Sequence, residues 1–388
     1  MISPVLLAGM FFVAASNQSF DPARLAQIPV RMKRFVEAKQ VAGTVVLVAL
    51  HGKTVLLDAQ GNASLNPDKP MRTDTIFQIM SMTKPVTAIA VVMCAERGLL
   101  LLDDPVEKYI PEFRKPTVRQ PDGSTRPVKG HLTIRNLLCH TGGVGSTDPG
   151  GLDDDAKRKL TLAEYARRLG SEPLIADPGD RISYSGPGFA ALGRIVEVAS
   201  GLAFDQFLQR NIFDPLAMRD TYMFAPEAVR PRIASTYVRE GGELTALEPN
   251  PYRIGAKLAN PAGGLYSTAE DMAKLLGCIS QGGALHGTRI LSPASVAAMT
   301  TIQTGNLLMD SSDAQAFGLG FSIVRSGAGM TTLKPIGAYG HVGAFGTEFW
   351  TDPRHGIVAV FMSQGLGNSD EVRKTFDTMV NAAYIDAQ

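Results

Sequence analysis

The spacing of apolar residues predicts strands near both ends of the chain and helices between them. Residues 20–39 carry apolar side chains at helical spacing, which predicts a first helix. The runs 43–50 and 54–61 are rich in β-branched and aliphatic residues, and the short turn between them contains glycine. This pattern predicts a β-hairpin. An apolar helix is predicted over 82–97, before Gly98.

The middle of the chain has a helical pattern with long loops, and strands return after it. Helices are predicted over 162–169 and 189–199, and again over 269–280. A last helix is predicted over 371–384. Four segments near the C-terminus are typical of strands: 317–324, 336–342, 345–351 and 356–363.

This order of elements predicts an α+β fold. Strands from both chain ends would form one antiparallel sheet flanked by helices, and a mostly helical domain would be inserted between them. We expect the sheet domain to comprise residues 20–80 and 255–388, and the helical domain to comprise residues 81–254. Residues 1–19 would form a leader.

The proposed leader is a short apolar run followed by small residues. This is the pattern of a secretory signal, although no lysine or arginine precedes Arg24. An exported leader and an N-terminal packing segment therefore both stay open. The location of the protein is therefore also open, either cytoplasmic or periplasmic or secreted.

Composition excludes several classes of protein. Hydrophobic residues make up 45% and charged residues 19% of the chain, and the net charge is +1. These values are typical of an ordinary folded protein and predict no nucleic-acid partner and no stable membrane insertion. Three scattered cysteines predict free thiols, and six histidines have no ligand-like spacing. No metal or cofactor is expected, and the oligomeric state is left undetermined.

Candidate chemistry lies in the segment IMSMTKPVTAIA, residues 79–90, where Ser81 and Lys84 interrupt an apolar run. Residues three apart share a face of a helix, so the lysine ammonium would lie near the serine hydroxyl. A serine needs a neighbouring base to act as a nucleophile, and a desolvated lysine serves as one. The alternative is a capping serine followed by a lysine whose charged end reaches solvent.

The sequence resembles the class C β-lactamase-like serine hydrolases, which include D-alanyl-D-alanine carboxypeptidases and family VIII carboxylesterases. The resemblance covers about residues 25–380. It rests on segments that occur in the family's order: FQIMSMTKPVTAIA around Ser81, LTIRNLLCHTGG (132–143), PGDRISYSGPGFAALGRIVE (178–197), PAGGLYSTAEDMAKL (261–275) and GHVGAFG (340–346).

The resemblance implies a role for each matching position. Ser81 would be the nucleophile, and Lys84 and Tyr184 would exchange its proton. The family's Y-x-N motif reads Tyr184-Ser185-Gly186 here, so the amide that helps to hold a substrate amide or a β-lactam side chain is missing. This departure puts efficient β-lactam turnover in doubt.

The family's third motif, usually K-T-G, has two candidates. His341-Val342-Gly343 lies in the strand-rich end, in the expected order, whereas His140-Thr141-Gly142 is interpreted as a structural loop. His341 and Gly343 would then line the substrate site. The amides of Ala344 and Ser81 would form the oxyanion hole. Trp350, the only tryptophan, is a further candidate for substrate binding, with core packing as the alternative.

The predicted function is a serine hydrolase that needs no metal, most simply a carboxylesterase acting on short-chain esters. Its partner would be a small-molecule ester or amide substrate. A β-lactamase, a D-alanyl-D-alanine carboxypeptidase, a D-aminopeptidase and an acyltransferase would use the same machinery, because fold and machinery do not decide among them. A non-enzymatic alternative is a penicillin-binding-like sensor, which is acylated once and stops.

Overall fold

A computed structural model describes residues 19–247, 255–309, 314–367 and 369–385, so the expected leader lies outside it except for Ser19. Within these ranges the largest sheet has eight strands. Numbered in chain order, they are β1 Gly43–Leu50, β2 Lys53–Leu65, β3 Asp68–Pro70, β4 Gln315–Phe317, β5 Ser322–Val324, β6 Tyr339–Gly343, β7 Thr347–Asp352 and β8 Ile357–Met362.

The sheet joins the two ends of the chain. Its strand order is β4-β5-β6-β7-β8-β1-β2-β3. The C-terminal strand β8 pairs antiparallel with the N-terminal strand β1, from Ile357 opposite Leu50 to Met362 opposite Val45. The α+β fold with one antiparallel sheet built from both chain ends is therefore confirmed.

One predicted strand was wrong. The apolar run 317–324 is not continuous, because β4 ends at Phe317 and β5 begins at Ser322. The turn between them contains Gly320 with φ +80°, a conformation that favours glycine. A Cβ atom at Gly320 would also lie only 2.3 Å from the Cβ of Ala88. The sequence pattern predicts one strand here because apolar residues lie on both sides of the turn and within it.

Helices cover both faces of the sheet and form most of the middle of the chain. Their bounds are α1 Pro22–Leu25, α2 Gln27–Glu37, α3 Thr83–Glu96, α4 Ile134–Leu138, α5 Asp154–Arg158, α6 Leu162–Gly170, α7 Gly186–Ser200, α8 Phe204–Leu208, α9 Ala269–Ser280, α10 Pro293–Thr300 and α11 Asp370–Ala383. The first predicted helix is divided into α1 and α2. Pro29 explains the division, because it has no N–H to donate to the carbonyl of Leu25.

Short strands also pair outside the large sheet. They are Ser19–Phe20 with Tyr384–Ile385, Phe77–Gln78 with Tyr266–Ser267, Thr117–Arg119 with Thr125–Pro127, Ala284–Leu285 with Thr288–Arg289, and Tyr237–Glu240 between Glu243–Ala246 and Gly365–Leu366. Within the described ranges, no single helix has the length and hydropathy of a membrane span. The pair Gly186–Ser200 and Phe204–Phe213, bent by 75°, passes that test only when its two helices are joined.

Two hydrophobic cores lie on opposite faces of the sheet. The larger core joins one face of the sheet to α3 and to the helical middle of the chain. The smaller core joins the other face to α2 and α11. Helix α3 is buried on all sides from Thr83 to Cys94, which explains its uniformly apolar sequence. Lys84 is therefore inside the larger core region, at the first turn of a buried helix.

Candidate active site

Ser81 lies in a single turn of 3-10 helix, Met80–Met82, which connects the short strand Phe77–Gln78 to α3. Met80 has φ +48°, a left-handed conformation that is uncommon for residues other than glycine. This turn places Ser81 just before the first turn of α3. The Nζ atom of Lys84 lies 3.0 Å from the Oγ atom of Ser81, so the two residues meet as their spacing predicts.

Lys84 is held in a desolvated position. Its side chain donates a second hydrogen bond, of 2.8 Å, to the carbonyl oxygen of Ala262. Only 2% of the residue is exposed, and burial lowers the pKa of Lys84 to about 7. Near neutral pH a substantial fraction of this lysine is therefore uncharged and able to accept a proton. Ala262 was not predicted as a site residue, although it lies in the segment PAGG that helped to carry the family resemblance.

Tyr184 lies beside the same lysine. The chain enters α7 through Ser185, whose Oγ accepts a hydrogen bond from the amide of Gly188 and so caps the helix. Lys84 Nζ lies 4.8 Å from the centre of the Tyr184 ring. Burial raises the pKa of Tyr184 to about 12, and a hydrogen bond with Ser81 opposes the rise. Tyr184 therefore keeps its proton at neutral pH and is available as a donor.

His140 lies behind Tyr184, in the loop that was interpreted as structural. Its ring centre is 4.4 Å from that of Tyr184 and 5.0 Å from that of Phe189. The Nδ1 atom of His140 accepts a hydrogen bond of 3.1 Å from the amide of Ser185. Burial is the main cause that lowers the pKa of His140 well below its usual range, so the imidazole is neutral. His140 thus supports the loop that carries Tyr184, a contact that local sequence did not reveal.

His341 approaches the site from strand β6. Its ring centre is 6.0 Å from that of Tyr184, and its Nδ1 atom lies 2.8 Å from the carbonyl oxygen of Val342. Burial, followed by the charge of Lys84, lowers the pKa of His341 to about 3. The imidazole is therefore neutral at ordinary pH, and it supplies no positive charge at this position.

Gly343 ends strand β6 against the residue that precedes the Met80–Met82 turn. A Cβ atom at Gly343 would lie 2.4 Å from the carbonyl oxygen of Ile79 and 2.1 Å from Oγ1 of Thr347, so only glycine fits. The Oγ1 atom of Thr347 donates a hydrogen bond of 3.1 Å to the same carbonyl. These contacts bring the residue after Gly343, Ala344, to the region of Ser81. An oxyanion hole formed by the amides of Ser81 and Ala344 stays a prediction.

Trp350 is not brought to the site. Its side chain belongs to the smaller core, on the face of the sheet opposite to Ser81, and only 2% of the residue is exposed. The indole Nε1 donates a hydrogen bond of 2.8 Å to Oδ1 of Asp377 on α11. The substrate-binding interpretation of Trp350 is therefore replaced by core packing. Alternation along β7 is the reason, because the neighbouring residue Phe349 points to the larger core instead.

Ser81, Lys84 and Tyr184 line one cavity of about 320 Å³. His341 and Gly343 are not part of the lining that the described residues form. Its other lining residues combine apolar and polar side chains, among them Met223, Phe224, Leu258, Asn260, Asp154, Lys157 and Arg158. In the part of the chain that the structure describes, no group of three His, Cys, Asp or Glu side chains is arranged to hold a metal ion.

Comparisons with known proteins identify the family and the fold of the chain. The Beta-lactamase family model matches residues 31–384. Esterase EstB of Burkholderia gladioli is 34% identical over 288 residues, covering 67% of this chain and 71% of the relative. Penicillin-binding protein 4 of Amycolatopsis lactamdurans is 32% identical over 301 residues, covering 76% of this chain and 73% of the relative. The solved structure of EstCE1, a hydrolase with promiscuous acyltransferase activity, matches with a TM-score of 0.78 at 23% identity, over 93% of this chain and 98% of that one.

Proposed function

The chain belongs to the Beta-lactamase family, and from that premise we propose that it is a carboxylesterase that hydrolyses short-chain esters through a serine acyl-enzyme. The observation that carries the proposal is the 3.0 Å contact between Ser81 Oγ and the buried Nζ of Lys84, whose pKa is about 7. A relative that is named an esterase, EstB, covers two thirds of the chain and supports the choice of ester substrates.

In the proposed acylation step, the neutral amine of Lys84 accepts the proton of Ser81 while Oγ attacks the ester carbonyl. Lys84 is better suited to be the base than Tyr184, because the pKa of Lys84 is about 7 and that of Tyr184 is about 12. Backbone amides of Ser81 and Ala344 would stabilise the negative charge on the carbonyl oxygen. Tyr184, which keeps its proton, would pass a proton to the departing alcohol and recover it from Lys84.

In the proposed deacylation step, water replaces the alcohol and the same groups act in reverse order. Water loses a proton towards Lys84 and Tyr184, attacks the acyl carbon, and Ser81 leaves with a proton as the acid is released. An acyl-enzyme that meets another alcohol instead of water would transfer its acyl group. Hydrolysis is the simplest outcome, because it needs only solvent as second substrate.

The nucleophile is tested by the Ser81→Ala variant. We expect this change to abolish both 4-nitrophenyl ester hydrolysis and covalent labelling by a fluorophosphonate, while the circular dichroism spectrum stays that of the wild type. Peptide mass spectrometry of the labelled wild-type protein should find the adduct on Ser81. An adduct on a different residue would disprove the assignment, and one stoichiometric burst without turnover would favour the sensor.

A further inference from the structure

The turn from Asn260 to Gly264 forms part of the cavity and fixes one polar side chain in it. The carbonyl oxygen of Asn260 accepts a hydrogen bond of 2.8 Å from the amide of Gly264. The side-chain Oδ1 of Asn260 accepts another, of 2.9 Å, from the amide of Ala262. The main chain and the side chain of Asn260 are therefore both held by the turn, which orders the side chain before any substrate binds.

These contacts determine which way the carboxamide of Asn260 faces. The amide of Ala262 is a donor, so the atom that meets it must be Oδ1 and not the NH₂ group. Asn260 lines the cavity together with Ser81 and Lys84. Among the described residues, no hydrogen-bond acceptor contacts its Nδ2 atom, which leaves two N–H donors for a ligand.

The same turn also touches the catalytic lysine. The peptide unit of Ala262 receives a hydrogen bond from Lys84 at its carbonyl and gives one to Asn260 from its amide. On the neighbouring helix, Gly186 offers no side chain, and a Cβ atom there would lie 3.6 Å from the Cβ of Ala262. Among the described residues that line the cavity, Asn260 is therefore the one that supplies a carboxamide.

We propose that Asn260 donates a hydrogen bond from Nδ2 to a second carbonyl oxygen in the acyl group of the substrate. This inference rests on the proposed esterase function and narrows its substrate class to esters whose acyl group carries an amide or ester carbonyl, such as N-acylamino acid esters. The acyl group becomes bonded to Ser81 in the first half-reaction and is released only in the second, whereas the alcohol leaves after the first, so the acyl group is the part of the substrate that a fixed donor contacts longest. A purely aliphatic acyl group would cover this half-buried donor without giving it a partner, which disfavours its binding.

The competing explanation is that Asn260 only shapes the turn and positions the Ala262 carbonyl for Lys84. That role would affect every ester equally, because Lys84 acts on the scissile bond of each. The proposed role instead affects the ratio of kcat/KM for two esters of which only one carries a second carbonyl in its acyl group, here as part of an amide. The 4-nitrophenyl ester of N-acetylglycine and 4-nitrophenyl pentanoate form such a pair, since they share a leaving group and a chain length.

The experiment measures this ratio in the wild type and in two variants. In Asn260→Ser the hydroxyl oxygen can still accept the hydrogen bond from the Ala262 amide, because serine forms a similar turn. The carboxamide donor is lost. In Asn260→Asp the turn acceptor is kept and the donor is replaced by an acceptor. We expect the ratio of the N-acetylglycine ester to the pentanoate to fall about fivefold or more in both variants, the usual effect of losing one neutral hydrogen bond.

The outcomes separate this inference from the proposed function. If both variants hydrolyse the two esters at rates lowered by the same factor, Asn260 acts only on the turn and the inference is overturned. If the wild type hydrolyses neither ester, the esterase function itself fails. A melting curve of each variant shows that folding is retained, and Asn260→Asp gives the decisive ratio should Asn260→Ser fail to fold.

Discussion

At the scale of single residues, the site depends on a lysine whose surroundings change its chemistry. An exposed lysine is charged near neutral pH and cannot accept a proton, whereas burial lowers the pKa of Lys84 from 10.5 to about 7. The same burial explains why the lysine occurs in an apolar run. Its two acceptors, Ser81 Oγ and the Ala262 carbonyl, keep the amine directed at the nucleophile.

The pH dependence of ester hydrolysis follows from this pKa. Below pH 7 the ammonium form of Lys84 cannot act as a base, so kcat/KM should rise about tenfold for each pH unit in that range. Above pH 7 the amine is mostly neutral and the rate should level off. Initial rates with a 4-nitrophenyl ester between pH 5 and pH 9 would show the ascending limb, and a flat profile would contradict the assignment of Lys84 as the base.

The Lys84→Arg variant tests the same role without removing the positive charge. A guanidinium stays protonated at all accessible pH values, so we expect kcat/KM to fall by about 10²-fold or more and the limb near pH 7 to disappear. Folding is checked by circular dichroism. Activity close to that of the wild type would contradict the general-base role and would show that Lys84 is a structural lysine.

At the scale of elements, strand β7 shows how one strand serves two different cores. Phe349 faces the larger core, and Trp350 faces the smaller one beneath α11. The back of the sheet also holds buried charges: Glu348 of β7 pairs with Lys334 and with Arg373 of α11, and Lys334 lies 2.8 Å from Asp377. Truncating one member of such a buried network leaves its partner charge unpaired. The free energy of unfolding then usually falls by more than the intact pair contributes to it.

The Trp350→Phe variant separates the structural role of this residue from substrate binding. It keeps an aromatic ring but loses the N–H donor to Asp377, so the free energy of unfolding should fall by about 1–3 kcal/mol. Ester kcat/KM should stay close to the wild-type value. Urea unfolding is best followed by circular dichroism, because the protein has a single tryptophan. Unchanged stability with a large loss of activity would restore Trp350 as a substrate contact.

At the scale of the whole molecule, the site is assembled from distant parts of the chain. Ser81 and Lys84 come from the segment that leads out of the N-terminal strands, Tyr184 from the helical middle, and His341 from the C-terminal strands. The pairing of β8 with β1 holds the N-terminal and C-terminal segments together in one sheet. Substrate preference is therefore a property of the assembled site, and it is predicted from the charges that the site contains.

We expect a short-chain 4-nitrophenyl ester to be a better substrate than nitrocefin by at least about tenfold in kcat/KM, or about 1.4 kcal/mol in the barrier. A β-lactam such as nitrocefin carries a carboxylate. The neutral imidazole of His341 supplies no positive charge to bind it, and Lys157 and Arg158 of the cavity lining already pair with aspartates. The carboxamide of Asn260 binds a neutral carbonyl and does not replace a cation.

Both substrates should be measured at one pH with one preparation, because protonation of Lys84 affects both reactions. Nitrocefin hydrolysis equal to or faster than ester hydrolysis would show that other cavity residues hold the carboxylate. The β-lactamase alternative would then replace the esterase proposal.

The sequence by itself determined the features that depend on local spacing. Periodicity of apolar residues predicted the hairpin of β1 and β2 and the later helices, of which Ala269–Ser280 matches its predicted bounds. Ser81 and Lys84 meet because residues three apart at the start of a helix are neighbours, and this proximity does not depend on tertiary contacts. The single strand predicted over 317–324 was wrong because a turn with glycine can lie within a mostly apolar stretch.

Only the tertiary structure decided which distant groups complete the site. The carbonyl of Ala262 beside Lys84, the ring of His140 behind Tyr184 and the direction of the Asn260 carboxamide depend on contacts across the fold. Alternation along a strand shows that Phe349 and Trp350 point to opposite faces, but not which face carries Ser81. That choice is made when the two cores form, because burial of both faces of the sheet requires each helix to pack on one particular side.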